Sequence, residues 1–418
     1  MQLSQLAESL IGSEIVRLGN EIKDKIRAGS RIYNFTIGDF DSRIFPIPQE
    51  LEKGIHEAYK EGYTNYPPAE GILELRESVG RFIGEREGIH YSPSEILIAS
   101  GGRPLIYALY RSIVDKGEKV IYAVPSWNNN HYVHFVEGRH VAIETTAEAQ
   151  FMLTADQVKP FLGEATLLAL CSPQNPTGTT FSREELQAIS DAVVEENARR
   201  GPGRKKLFIL YDQMYWTLTY GKTKHYNPVS LRPELKDCTI FLDGISKAFA
   251  ATGLRVGWAF GPAVVIAKMK AILSHMGAWA PMAEQRATAS YLLQTTAVDQ
   301  YLSHFKAELE LRLTRIYDGF MALRKDGFAV DAVAPQAAIY LTVCFDLVGR
   351  KTPAGKVLSD QEAVTSYILD AAGLAIVPFS CFGAGRNSPW YRLSVGTCIK
   401  EEIPEMLGAV RKALEDLG

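Results

Sequence analysis

Between residues 95 and 260 short apolar runs alternate with helical stretches, a rhythm that few architectures can accommodate. The runs lie at 95–100, 119–124, 140–145, 165–171, 206–211, 239–242 and 255–260. They are rich in Ile, Val, Leu and Phe and lack a strict polar alternation, the pattern of strands covered on both faces. Between them lie amphipathic segments. One opens at Ser182 with Glu185 three residues on, a capping box, and carries Leu186, Ile189 and Val193 on one face. Strands alternating with helices predict a mostly parallel sheet between helical layers, an α/β fold.

Past residue 295 the rhythm changes. Leu302, Phe305, Leu309, Leu313, Ile316, Phe320 and Leu323 recur at spacings of three and four, which predicts one long helix ending at Asp326-Gly327. The strand-like AIYLTVCF, a second capping box at Ser359 and Glu362, and the strand-like YRLSVG come after it, so a smaller α+β region is expected. The basic run at 197–206 is expected to be an exposed loop, because the surrounding composition is not basic.

The 418 residues suffice for two or three domains. With 46% hydrophobic and 22% charged residues, the chain reads as globular rather than disordered. Lys and Arg number 45 against 48 Asp and Glu, so nothing global points to nucleic acid or an anionic membrane as a partner. No apolar run approaches the roughly 18 residues that span a bilayer. The N-terminus places Glu8 and Glu14 before any Lys or Arg, unlike a secretory signal. Five cysteines without a CxxC make no disulfide framework, and a cytoplasmic protein with reduced thiols is expected. His131 and His134 form HxxH without a glutamate or a further ligand, so no metal is expected.

Lys247, in DGISKAFAATGLRVGW, comes just after an apolar strand. A lysine at the carboxyl end of a parallel strand points into the crevice where such sheets bind ligands. Most lysines are solvated surface charges, so this one gains weight only from its company. In ASGGRPLIYALYRS, Gly101 and Gly102 precede Pro104 where a helix would begin, an N-terminus with free N–H groups for an anion. Many such turns are glycine-rich for steric reasons alone. Trp127, in VPSWNNNHYV, reads either as a core aromatic or as a ring over a ligand plane. Asn175 lies in the turn sequence NPTG of CSPQNPTGTTF. Asp212 ends a strand in LYDQMYW, with Tyr215 three residues on. It reads equally as a helix cap or as a buried carboxylate paired with a cationic ring nitrogen.

In order and spacing, YPPAEGILELR, SGG, PSW, NPTG, the YD strand end, SK(x)7R and WYRLSVG resemble the class I/II aminotransferases. These are the aspartate-aminotransferase-like branch of the fold-type-I pyridoxal-phosphate (PLP) enzymes, and the resemblance runs from about Thr36 to Gly396. It implies a large PLP-binding domain at 49–305 with a mixed, mostly parallel seven-stranded sheet between helices. A smaller α+β domain would combine an N-terminal arm at 1–48 with residues 306–418. The implied activity is a PLP-dependent aminotransferase, moving an amino group from an L-amino acid to a 2-oxo acid by a ping-pong route through a Schiff base on Lys247.

The same resemblance implies roles. Asp212 keeps the pyridine nitrogen protonated, Asn175 and Tyr215 hydrogen-bond the 3′ oxygen, and Trp127 stacks on the ring. The phosphate takes N–H groups around Gly101, Gly102 and Arg103, the Ser246 hydroxyl and the fork of Arg255. Tyr66 resembles the tyrosine that reaches the phosphate from a neighbouring subunit, which implies a homodimer with shared sites. Arg392 matches the arginine that clamps the substrate α-carboxylate, with the backbone at Gly38 opposite and Trp127 and Asn175 beside it. Trp390 and Tyr391 are expected to lend that arginine bulk.

Three positions depart from the family pattern: Gly244 replaces a frequent Ser or Thr, Arg103 a smaller residue, and Phe379 a frequent glycine. Phe379 is expected to narrow a nearby pocket. The stretch 271–285 contains no Arg or Lys, only His275, which argues against one mode of dicarboxylate recognition. Arg43 or Arg103 could substitute, whereas Trp279, Phe40 and Phe379 would suit an apolar or aromatic side chain. A PLP-dependent C–S β-lyase shares the motifs and stands as the alternative. A PLP-sensing transcriptional regulator is a poor fit, because about 35 residues ahead of Thr36 are too few for a winged-helix domain.

Overall fold

The computed structural model describes residues 3–10 and 14–418; the expected arm at 1–48 therefore includes positions, 1–2 and 11–13, outside the described residues. All seven apolar runs are strands of one sheet. They are β1 (Ile96–Ala99), β2 (Lys119–Val124), β3 (Arg139–Glu144), β4 (Ala165–Cys171), β5 (Phe208–Asp212), β6 (Thr239–Gly244) and β7 (Gly257–Phe260). Their spatial order is β1-β7-β6-β5-β4-β2-β3. Pairs are parallel except the two made by β7, which runs antiparallel between β1 and β6. Burial on both faces matches the expectation for every strand but β3, an edge strand whose residues are exposed or half-buried.

Four helices connect or flank the strands that build the site: α1 (Gly102–Ile113), α2 (Arg183–Arg200), α3 (Ile245–Ala248) and α4 (Thr295–Lys325). Ser182 caps α2 by accepting from the Glu185 N–H at 3.1 Å, while the Glu185 carboxylate accepts from Ala155 instead of closing the box. The helix runs into the basic stretch expected as loop. The Arg200 side chain is 4% exposed and donates to the Leu162 and Ala165 carbonyls at 2.6 and 2.7 Å, so burial and hydrogen bonding extend the helix, and only 201–206 are exposed throughout.

The second sheet is antiparallel: β8 (Val330–Ala332), β9 (Tyr340–Phe345), β10 (Val377–Pro378) and β11 (Trp390–Ser394), in the order β10-β11-β9-β8. Helix α4 joins the two halves. Its Val298 and Leu302 pack in the core beside the large sheet, whereas Phe305, Leu309, Leu313 and Ile316 pack with the second sheet. Tyr33, Phe35 and Phe45 join that second core from the N-terminal side. The expected cap at Ser359 moves by one residue: Asp360 accepts from the Ala363 N–H at 2.8 Å.

Candidate active site

The carboxyl ends of β4, β5 and β6 open into one crevice. A parallel sheet brings such ends to the same side, so residues far apart in the chain converge there. Asp212 is the last residue of β5, Asn175 lies in the turn after β4, and Lys247 lies in α3 immediately after β6. Lys247 Nζ donates to the Gly38 carbonyl at 2.6 Å and faces the rings of Phe40 and Tyr215. Burial pushes its amine down to about 8, with Asp39 opposing and the charges of Arg392, Arg103 and Arg255 reinforcing. Asp212 accepts from the Met214 N–H at 3.1 Å, and burial pushes its carboxyl up to about 6. A carboxylate so poorly solvated is stabilised by a cationic N–H donor placed against it.

At the other end, Gly101 (φ +84°) turns the chain from β1 into α1, whose first N–H groups belong to Gly102 and Arg103. Arg255 donates to the Thr252 and Ser100 carbonyls at 2.7 and 2.9 Å, and a Cβ on Gly101 would collide with its guanidinium. The glycine at 244 has a steric cause: its Cβ would lie 2.8 Å from the Gly257 backbone, and one on Gly257 would lie equally close to Gly101. Three glycines thus let β1, β7 and β6 close up where Arg255 and Lys247 emerge. Ser246 is 8% exposed on α3, and Arg103 holds its guanidinium 4.8 Å over the half-buried Trp127 ring.

Arg392 is only 3% exposed. It donates to Asn175 Oδ1 at 3.1 Å and to the Thr36 carbonyl at 2.8 Å, while its Nε has no partner among the described residues. The guanidinium lies between the rings of Tyr340 (4.7 Å) and Phe382 (4.9 Å). Strand alternation turns Tyr391 to the opposite face, where it meets Gln361, while Tyr340 and Phe382 lie against Arg392. Gly38 lies against the same group; a Cβ there would stand 3.0 Å from the Tyr340 hydroxyl and 3.6 Å from Arg392 Nη1. Phe379, expected to narrow a pocket, has no exposed surface. It is fully buried against Phe151, because the aromatic cluster around it is closed.

Tyr215 meets a residue that sequence reasoning missed. Its hydroxyl lies 2.6 Å from that of Tyr340 on β9. The signal was present as the tyrosine of AIYLTVCF, but an apolar strand context reads as core. Tyr66 is 85% exposed with its ring edge toward Trp279.

The family model for aminotransferase class I and II matches residues 30–410. An aspartate aminotransferase from Geobacillus stearothermophilus is 30% identical over 402 residues, covering 96% of this chain and 95% of that protein. The crystal structure of the Rhizobium meliloti aspartate aminotransferase superposes with a TM-score of 0.89 at 26% identity over 100% of both chains. The Thermus thermophilus enzyme solved with maleate gives 0.86 at 26% identity, over 99% of this chain and 100% of that one. These relatives do not favour the β-lyase alternative. A phosphorylated, cationic pyridine fits the groups in the crevice: a desolvated carboxylate, an arginine over a glycine cradle, and a buried amine held partly neutral. In its sequence from 30 to 410, in its fold and in the groups its crevice presents, the chain belongs to the class I and II aminotransferases, a family of PLP-dependent transaminases.

Proposed function

We propose that the chain transfers the amino group of a dicarboxylic L-amino acid, L-aspartate or L-glutamate, to a 2-oxo acid, with PLP held between Trp127 and the strand ends. Arg103 carries this reading. Its guanidinium sits over Trp127 and within electrostatic reach of Lys247, and it pairs with no carboxylate among the described residues. Arg43, the other candidate, is paired with Asp41 at 2.6 Å on a side chain that is 88% exposed. Phe379 is fully buried, so the apolar alternative loses one of its three rings. The maleate in the Thermus structure, a dicarboxylate, supports the same substrate class.

PLP, when bound, supplies an electrophilic carbonyl carbon and a ring that draws electrons from the substrate Cα. Asp212 would face the ring N–H. The Asn175 amide NH₂ and the Tyr215 hydroxyl would hold the 3′ oxygen. Arg255, Ser246 and the N–H groups around Gly101, Gly102 and Arg103 would hold the phosphate. The two Arg392 N–H groups that rest on Thr36 and Asn175 would turn to the substrate α-carboxylate, beside Gly38. Lys247, down at about 8, keeps part of its amine neutral near pH 7, so it can take the Cα proton and return it. Such a positioned base contributes about 10²–10⁴ in rate.

Tyr66, exposed in the single chain, supports a homodimer in which it completes the partner's phosphate site. Free thiols at Cys171, Cys238, Cys344 and Cys398 support the reducing cytoplasm.

The test is the visible spectrum of the PLP-loaded protein with L-aspartate, L-glutamate, L-tyrosine and L-alanine added separately. Conversion to the pyridoxamine form by the two acids first, and a tenfold to hundredfold loss of kcat/KM (about 1.4 kcal/mol per tenfold) for them alone in Arg103→Gln, is expected. Preferential conversion by L-tyrosine, unaffected by Arg103→Gln, would overturn the dicarboxylic reading.

A further inference from the structure

We infer that Tyr340 is a positioning residue, which strengthens the Tyr215 hydroxyl as a hydrogen-bond donor from across the boundary between the two sheets. The inference rests on the proposal that Tyr215 donates to the 3′ oxygen of PLP. The two hydroxyls lie 2.6 Å apart, and both residues are buried, at 4% and 1% exposure, with their rings edge to face at 5.5 Å.

A phenol has one proton to give. If Tyr215 spends its proton on the 3′ oxygen, the short bond to Tyr340 requires Tyr340 to be the donor. A hydroxyl that accepts one hydrogen bond donates the next more strongly, by about 10–30% per bond. Tyr340 is polarised in the same sense by Arg392. Register sets Tyr340 opposite Ser394 and Thr342 opposite Arg392, so Tyr340 and Arg392 are diagonal neighbours on one face, the guanidinium 4.7 Å over the ring. The NPTG turn holds this arrangement in place. Thr342 Oγ1 donates to the Thr177 carbonyl at 2.9 Å, and Gly178 (φ +72°) packs so close that a Cβ would overlap the Tyr340 carbonyl. The residue that binds substrate carboxylate and the residue that touches the 3′ oxygen are therefore joined through one phenol.

The ionisable groups around the pair are Arg392, Asp39, Lys247, Asp212 and the Cys171 thiol, which burial keeps protonated. None of these five hydrogen-bonds the Tyr215 hydroxyl, whose partner is Tyr340.

Tyr340→Phe removes one oxygen and keeps the ring beneath Arg392. The readout is the pH midpoint of the visible band of the PLP-loaded protein, measured also for Tyr215→Phe and for the double variant. A weaker donor at the 3′ oxygen stabilises its anion less and raises the midpoint. Tyr340→Phe is expected to raise it by about half a unit, and Tyr215→Phe by more. The double variant is expected to match Tyr215→Phe alone, with KM for the amino donor changed less than threefold in Tyr340→Phe. A wild-type midpoint in Tyr340→Phe, or a further shift in the double variant beyond Tyr215→Phe, would overturn the inference. An unshifted midpoint in Tyr215→Phe would instead overturn the reading of Tyr215 itself.

Discussion

The large sheet and the small sheet equip the crevice in different ways. Lys247, Asp212 and Asn175 stand at or just beyond the carboxyl ends of parallel strands, where the backbone leaves the sheet and a side chain needs no particular face to reach the site. Arg392 and Tyr340 lie within an antiparallel sheet, where alternate residues point opposite ways and a shift of one residue would bury them on the wrong side. The first set depends on connectivity, the second on register. A site built both ways tolerates change unequally: the strand ends resist small backbone shifts, while the small sheet needs its neighbours locked.

The largest effect should come from the strand-end set. Lys247→Ala is expected to keep PLP bound without a covalent link and to lose at least about 10³ in turnover, because the amine that would hold the cofactor and move the Cα proton goes. Gel filtration with absorbance detection and steady-state rates check both halves; wild-type turnover would remove the lysine from the mechanism.

Register is tested at Gly178. Gly178→Ala forces a Cβ onto the Tyr340 carbonyl at φ +72°, and a loss on the order of 3 kcal/mol in denaturant unfolding is expected. Gly88→Ala, at φ +68° in the left-handed helical region with nothing within 4 Å, should lose only about 1 kcal/mol. Equal losses would mean that the β9 contact contributes nothing beyond backbone strain.

The smallest effect is electrostatic. In the PLP-free protein the Asp212 carboxyl is raised from 3.8 to about 6, so the folded chain binds the extra proton between those values and loses stability as pH rises through them. Asp212→Asn should remove that slope and raise stability at pH 7. Lys247, lowered from 10.5 to about 8, works in the opposite window: stability rises as pH climbs from 8 to 10.5, and Lys247→Met should abolish that rise. Thermal melts across pH separate the two windows.

Much of this was legible in the residues. The seven apolar runs became the seven strands, six of them because a strand covered on both faces must be continuously apolar, and the spacing of Leu302 to Leu323 became the long helix. Residues next to glycines, prolines and strand ends stood out because turn chemistry is local. Arg200 did not, because what extends α2 through it is contact with carbonyls 35 and 38 residues away. Phe379 and Tyr391 were misjudged for a related reason: the sequence names an aromatic without saying which side of the strand is already filled.

By itself, then, the sequence determined the order of strands and helices, the family, and the chemical types gathered after β4, β5 and β6, because apolar periodicity and turn residues act over a few positions. Tertiary structure decided the rest. Pairing β9 with β11 placed Tyr340 beneath Arg392 and against Tyr215, three residues far apart in the chain, and desolvation in the closed crevice moved Lys247 and Asp212 toward neutrality. Register and burial are properties of the packed chain, and no local pattern encodes them.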